Sequence, residues 1–105
     1  MSSDDYKYQL IFQFRTDGLS NLDIDRVFKF EIAMHRMAGS FIVDGNDIGP
    51  TEMNVFFHTN DPNGTFNDVR TFVPADIPWC AAYRDFDSED YVVLYPEKLE
   101  EFVVS

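Results

Sequence analysis

The chain has 105 residues, 45% of them hydrophobic and eleven of them Phe; this fits a single domain over 1–105 and excludes a disordered chain. Nineteen Asp and Glu against eight Lys and Arg leave a net charge of −11. Nucleic acids and anionic membranes are bound through clustered cations, so this balance argues against both; it suits a basic protein partner or, more plainly, keeps a Phe-rich domain soluble.

Along the chain, "YKYQLIFQFR" alternates cleanly, with Tyr8, Leu10, Phe12 and Phe14 on one side and Gln9, Ile11, Gln13 and Arg15 on the other. That period of two predicts a strand over about 6–15, closed by the turn Thr16-Asp17-Gly18. The next run, "NLDIDRVFKFEIAMHRMAG", fits two periods. With period two, Leu22, Ile24, Phe28, Phe30, Ile32 and Met34 share a face. Wound as a helix, Ile24, Val27, Phe28, Ile32, Met34 and Ala38 gather opposite Asp25, Arg26, Lys29 and Arg36. Its length, the Ser20/Asp23 capping signal and Gly39 at the far end predict a helix over 22–38.

Two strands follow, over 40–44 and 52–59, with "DGNDIGPTE" between them as a hairpin connector. Gly45 and Gly49 suit backbone positions needing φ > 0, and Pro50 stiffens the exit. Asp61-Pro62 opens a second helix with Asp as N-cap, and Phe66, Val69, Phe72 and Val73 form its buried stripe. "VPADIP" ends it. "WCAAYRDF" and "DYVVLYP" flank the turn "DSE" as a terminal hairpin, and "EKLEEFVV" reads as a short helix after Pro96.

The order strand, helix, strand, strand, helix, strand, with one strand added, predicts an α+β fold. The expected form is a ferredoxin-like βαββαβ sandwich with an extra C-terminal strand, its antiparallel sheet carrying two helices on one face. Phe41, Val43, Val55 and Phe57 go under the helices. Ile11, Gln13, Arg15, Ile42, Asn54, Phe56 and His58 line the other, open face, where exposed Ile and Phe invite a partner or a second copy.

Chemistry has few candidates. Read as an EF-hand from Asp44, the fifth ligand position is Ile48 and the twelfth is Val55, so a calcium loop fails. Glu31 and His35, four apart, suit one metal ion, but His58 falls on the opposite sheet face and no third ligand is at hand; a mutually satisfied pair is the plainer reading. Cys80 has apolar neighbours and nothing local to lower its pKa, which reads as structural burial. Trp79, in a loop before the last hairpin, plugs the end of the core or anchors a partner. No nucleophile elbow, phosphate loop, C-x-x-C or H-E-x-x-H occurs. No catalytic residue, metal or cofactor is expected.

The segment "VDGNDIGPTEMNVFFHTNDP" resembles a pattern in small bacterial proteins that carry a V-D-G-x-D-x-G loop, then E-x-N-x-F, then a T-x-D-P helix start. It covers about a fifth of the chain and brings no activity. The resemblance implies a bacterial, cytosolic origin and draws attention to Asp44, Gly45, Asp47, Gly49, Glu52 and Asn54.

Two functions follow as expectations. One is a non-catalytic protein-binding domain, of the inhibitor or immunity type, whose acidic residues Asp44, Asp47 and Glu52 meet a basic partner. The other is a small homodimeric enzyme or ligand-binding protein using Arg15, Asn54, Phe56 and His58 on the open face. The acidic N-terminal stretch lacks the layout of a signal peptide, and a single cysteine suits a reducing cytoplasm.

Overall fold

The computed structural model describes residues 6–37, 39, 41–74 and 76–96. Its elements run β1 (Tyr8–Arg15), α1 (Asn21–Met37), β2 (Phe41–Ile48), β3 (Glu52–Thr59), α2 (Pro62–Val69) with a 3₁₀ turn over Arg70–Phe72, β4 (Trp79–Asp85) and β5 (Val92–Tyr95). The fold is α+β, with a five-stranded sheet in the order β2-β3-β1-β4-β5 and every neighbouring pair antiparallel. The expected helix after Pro96 lies outside the described residues. Among those residues, no helix is long and apolar enough to cross a membrane.

Both helices pack on one sheet face. Val27, Phe30 and Met34 from α1 and Phe66 and Val69 from α2 join Leu10, Phe12, Phe14, Val43, Val55 and Phe57 in one core. Phe12 is the hub, with ring centroids 5.4–6.0 Å from Phe30, Phe57, Phe66 and Trp79. Such aromatic pairs each add about 0.5–1.5 kcal/mol beyond their buried area.

Local chemistry starts both helices where the residue types demand it. Ser20 Oγ accepts from the Asp23 backbone N–H at 3.2 Å and donates to the Asp23 carboxylate at 3.1 Å. Asp61 Oδ1 accepts from Gly64 N at 3.0 Å, with Pro62 in the first turn, where its missing N–H costs nothing.

Several expectations need correction. The buried stripe of α1 is Val27, Phe30, Glu31 and Met34, while Ile32 is 52% exposed. The helix is thus rotated by a few tens of degrees, because Phe30 outcompetes Ile32 for the space beside Phe12 and Phe14. Phe72 also turns out to solvent, since the 3₁₀ turn breaks the period of α2. Trp79 begins β4 instead of standing in a loop. It stacks on Phe12 and, at 4.2 Å, on Tyr95, which is the role of a core plug.

The stretch expected to be a connector is mostly strand. β2 continues through Gly45, Asn46 and Asp47 to Ile48 because a bulge between Val43 and Gly45 absorbs one residue, leaving only Gly49-Pro50-Thr51 as the turn. Gly45 takes φ +127°, as expected of it; Gly49 does not take a positive φ.

Candidate functional site

The bulge decides what the helix-free face presents. Asp44 and Gly45 together oppose Phe56, so Asp44 stays on that face beside His58, and the register beyond is restored with Asp47 opposite Asn54. Without the extra residue, Asp47 and Asn46 would exchange faces. Asn46, an exposed residue, instead takes the helix side of the strand and donates Nδ2–H to Glu31 Oε1 at 2.6 Å. This explains the Glu31/His35 pair: Glu31 is buried and held by Asn46, with His35 Nε2 at 3.6 Å from its other oxygen. Among the described residues, no group of three His, Cys, Asp or Glu stands close enough to share a metal ion.

Strand register arranges the face in belts. At one end Gln9 lies between His58 and Arg84, and Arg84 Nε donates to Gln9 Oε1 at 3.1 Å. In the middle Ile11 lies between Phe56 and Ala82. Next Gln13 lies between Asn54 and Cys80; Gln13 Nε2 donates to Asn54 Oδ1 at 3.0 Å and the Cys80 thiol donates to Gln13 Oε1 at 3.4 Å. Arg15 and Glu52 close the far end in register, with Arg15 also 3.5 Å from Asp17.

This face is less open than expected. Ile11, Gln13, Asn54 and His58 are all buried, because the central strands are shielded by their neighbours and by side chains such as Tyr91 and Val93. Phe56 is half-buried, whereas Asp44, Asp47 and Arg15 are exposed. The predicted residues therefore divide into a buried polar interior and a charged rim.

Two buried atoms in that interior have no hydrogen-bond partner: Asn54 Nδ2 and His58 Nδ1. His58 Nε2 faces Asp44 Oδ2 at 3.4 Å, and the ring meets Phe86 edge-on with centroids 4.9 Å apart. Phe86 was not a predicted site residue. Its contact partner lies 28 positions away, and only its place in the acidic turn after β4 marks it in sequence. Phe86 also lines a cleft of about 480 Å³ with Arg84, Asp87, Ser88, Glu89 and Tyr91. Arg84 organises this loop, its Nη1 donating to the Ser88 carbonyl at 3.1 Å and to those of Asp85 and Phe86 at 3.5 Å.

Nucleophilic chemistry is poorly served here. Burial, and secondarily Glu52, push the Cys80 thiol up to about 11, against a smaller opposing pull from Arg15. A protonated thiol is a weak nucleophile. Compared with protein-family models, with curated proteins and with solved structures, the chain finds no match in any of the three.

Proposed function

We propose that this protein is a non-catalytic protein-binding domain, of the inhibitor or immunity type, that engages a basic protein partner through the rim of its helix-free sheet face. The observation that carries this reading is the bulge in β2, which keeps Asp44 and brings Asp47 onto that face beside half-buried Phe56, with Glu52 at the start of β3. Carboxylates around an aromatic side chain suit Lys and Arg side chains, and the net charge of −11 favours their approach. We read the fold as a ferredoxin-like βαββαβ sandwich extended by β5. The order β2-β3-β1-β4, in which each helix connection passes over one strand, supports it. Such a frame hosts many functions and selects none. The free Cys80 supports a reducing, cytoplasmic setting.

The test is affinity capture from native lysate at low and high salt. The wild type is compared with an Asp44→Lys, Asp47→Lys, Glu52→Lys variant, and binding is then measured with the purified captured protein. A basic protein released by salt and lost on charge reversal is expected. Capture that ignores the reversal, or no capture, refutes the proposal.

A second reading, a dimer or ligand-binding protein using the same face, is favoured by the unpartnered Asn54 Nδ2 and His58 Nδ1. It requires self-association and loss of ligand binding in His58→Ala; a monomer that binds no ligand overturns it.

A further inference from the structure

The cleft bounded by Arg84, Phe86, Asp87, Ser88, Glu89 and Tyr91 holds about 480 Å³, within the range of about 300–1,000 Å³ typical of small-ligand sites. Two of its walls tie it to the helix-free face. Phe86 meets the His58 ring edge-on, and Tyr91 packs against the cluster of Ile11 and Ala82 in the middle of that face. The cleft therefore continues the surface that carries Asp44 and Asp47.

Charge selects what enters it. Asp87 and Glu89 are both exposed, and among the described residues neither carboxylate has a hydrogen-bonding or ionic partner. Asp17, Asp25, Asp76 and Asp85, by contrast, each face an Arg or Lys within 3.8 Å. The loop's own cation does not satisfy the two free carboxylates. Arg84 sends Nε to Gln9 and Nη1 to the carbonyls of Asp85, Phe86 and Ser88, so its hydrogen bonds go to neutral acceptors. With Asp85 and Asp90 alongside, the carboxylates of this loop outweigh that one guanidinium, which repels anions and draws cations in.

The walls refine the class of cation. Phe86 and Tyr91 are aromatic and half-buried, which suits the methylene stem of a long side chain, while the carboxylates suit its charged end. A bare metal ion would use neither wall. Because Arg84 fastens the loop to three carbonyls, the cleft is shaped before a ligand arrives and little ordering is left to the binding step.

We propose that the cleft between Phe86 and Tyr91 receives a basic side chain of the partner, its stem against the two rings and its charge at Asp87 and Glu89. The proposal rests on the basic-partner reading above and adds the β4–β5 loop to the surface that partner covers.

The probe is N-acetyl-lysine methylamide, titrated into ¹⁵N-labelled protein while backbone amides are followed by NMR. N-acetyl-norleucine methylamide, which keeps the stem and lacks the ammonium, is the comparison. The lysine probe should shift the amides of residues 86–91 saturably, with Kd on the order of millimolar for a single unlinked side chain. Its methylenes should show NOEs to the Phe86 and Tyr91 rings, and the norleucine probe should bind more weakly. Asp87→Asn with Glu89→Gln, both at exposed positions, should weaken the lysine probe about three- to tenfold, as loss of two exposed ion pairs does. Asp25→Asn with Asp68→Asn removes the same charge from the helices and, at physiological ionic strength, should change the affinity less than about twofold. N-acetyl-arginine methylamide, run in parallel, identifies which basic side chain the cleft prefers. Unsaturable shifts, equal affinity for the norleucine probe, or an equal loss in the two double variants overturn the proposal. If reversal of Asp44, Asp47 and Glu52 abolishes capture of a basic protein while neither cationic probe shifts the loop saturably, this inference falls and the broader reading stands. If neither experiment succeeds, both fall.

Discussion

Gly45→Ala isolates the backbone cost of the bulge that holds Asp44 against His58. Gly45 has φ +127°, a region where an L residue is strained by about 1–3 kcal/mol. A Cβ at that position meets nothing within 4 Å, so no steric contact adds to the penalty. For a domain of this size each kcal/mol lowers Tm by about 4 °C, giving an expected fall of roughly 4–12 °C. Gly39→Ala is the control. Gly39 is not at positive φ, and the nearest atom to an added Cβ is the Met37 carbonyl at 3.9 Å. That variant should be neutral or slightly stabilising, because Ala restricts the unfolded chain. Thermal melts by circular dichroism, with urea titrations for ΔG, measure both. The reasoning fails if Gly45→Ala melts with the wild type, or if Gly39→Ala loses as much.

Asp61→Ala should cost about 1 kcal/mol by removing the N-cap of α2. Gly64→Ala collides with the same Asp61 carboxylate, so its cost should shrink in the Asp61→Ala background; additive losses in urea unfolding contradict this. Asn46→Ala strips the buried Glu31 carboxylate of its 2.6 Å donor and should destabilise by about 1–3 kcal/mol; a shift below about 0.5 kcal/mol in urea unfolding would mean that water replaces the amide. Cys80 should alkylate slowly in the folded protein, faster as pH rises toward about 11. An unfolded thiol titrates near pH 8.5. The folded value is the higher one, so the thiol's contribution to stability is complete below about 8.5 and is lost as pH rises through about 11. Cys80→Ala should flatten that part of the stability–pH curve, and an unchanged curve refutes the assignment.

Elements whose rules are local were legible. The alternation of β1 assigned both of its faces, since a strand's side chains have no freedom but to alternate. The Ser20/Asp23 and Asp61-Pro62 signals located both helix starts, because caps satisfy backbone groups within the same turn. Errors arose where neighbours competed. Ile32 and Phe30 are equally credible as core residues of an isolated helix, and only the Phe12–Phe14 surface chose between them. Gly45 and Pro50 carry turn chemistry at both ends of a stretch that becomes strand, because pairing with β3 outweighs the local preference for a loop.

The candidate site divides in the same way. Residue order and period alone placed Asn54, Phe56 and His58 on one sheet face and supplied the acidic residues that could surround them. Whether Asp44 reaches His58, whether Asp47 stands opposite Asn54, and that Phe86 closes over the imidazole depend on the bulge register and on a loop two strands away. Face assignment is a property of one strand's geometry, whereas contact between strands depends on register and packing, which no single segment encodes.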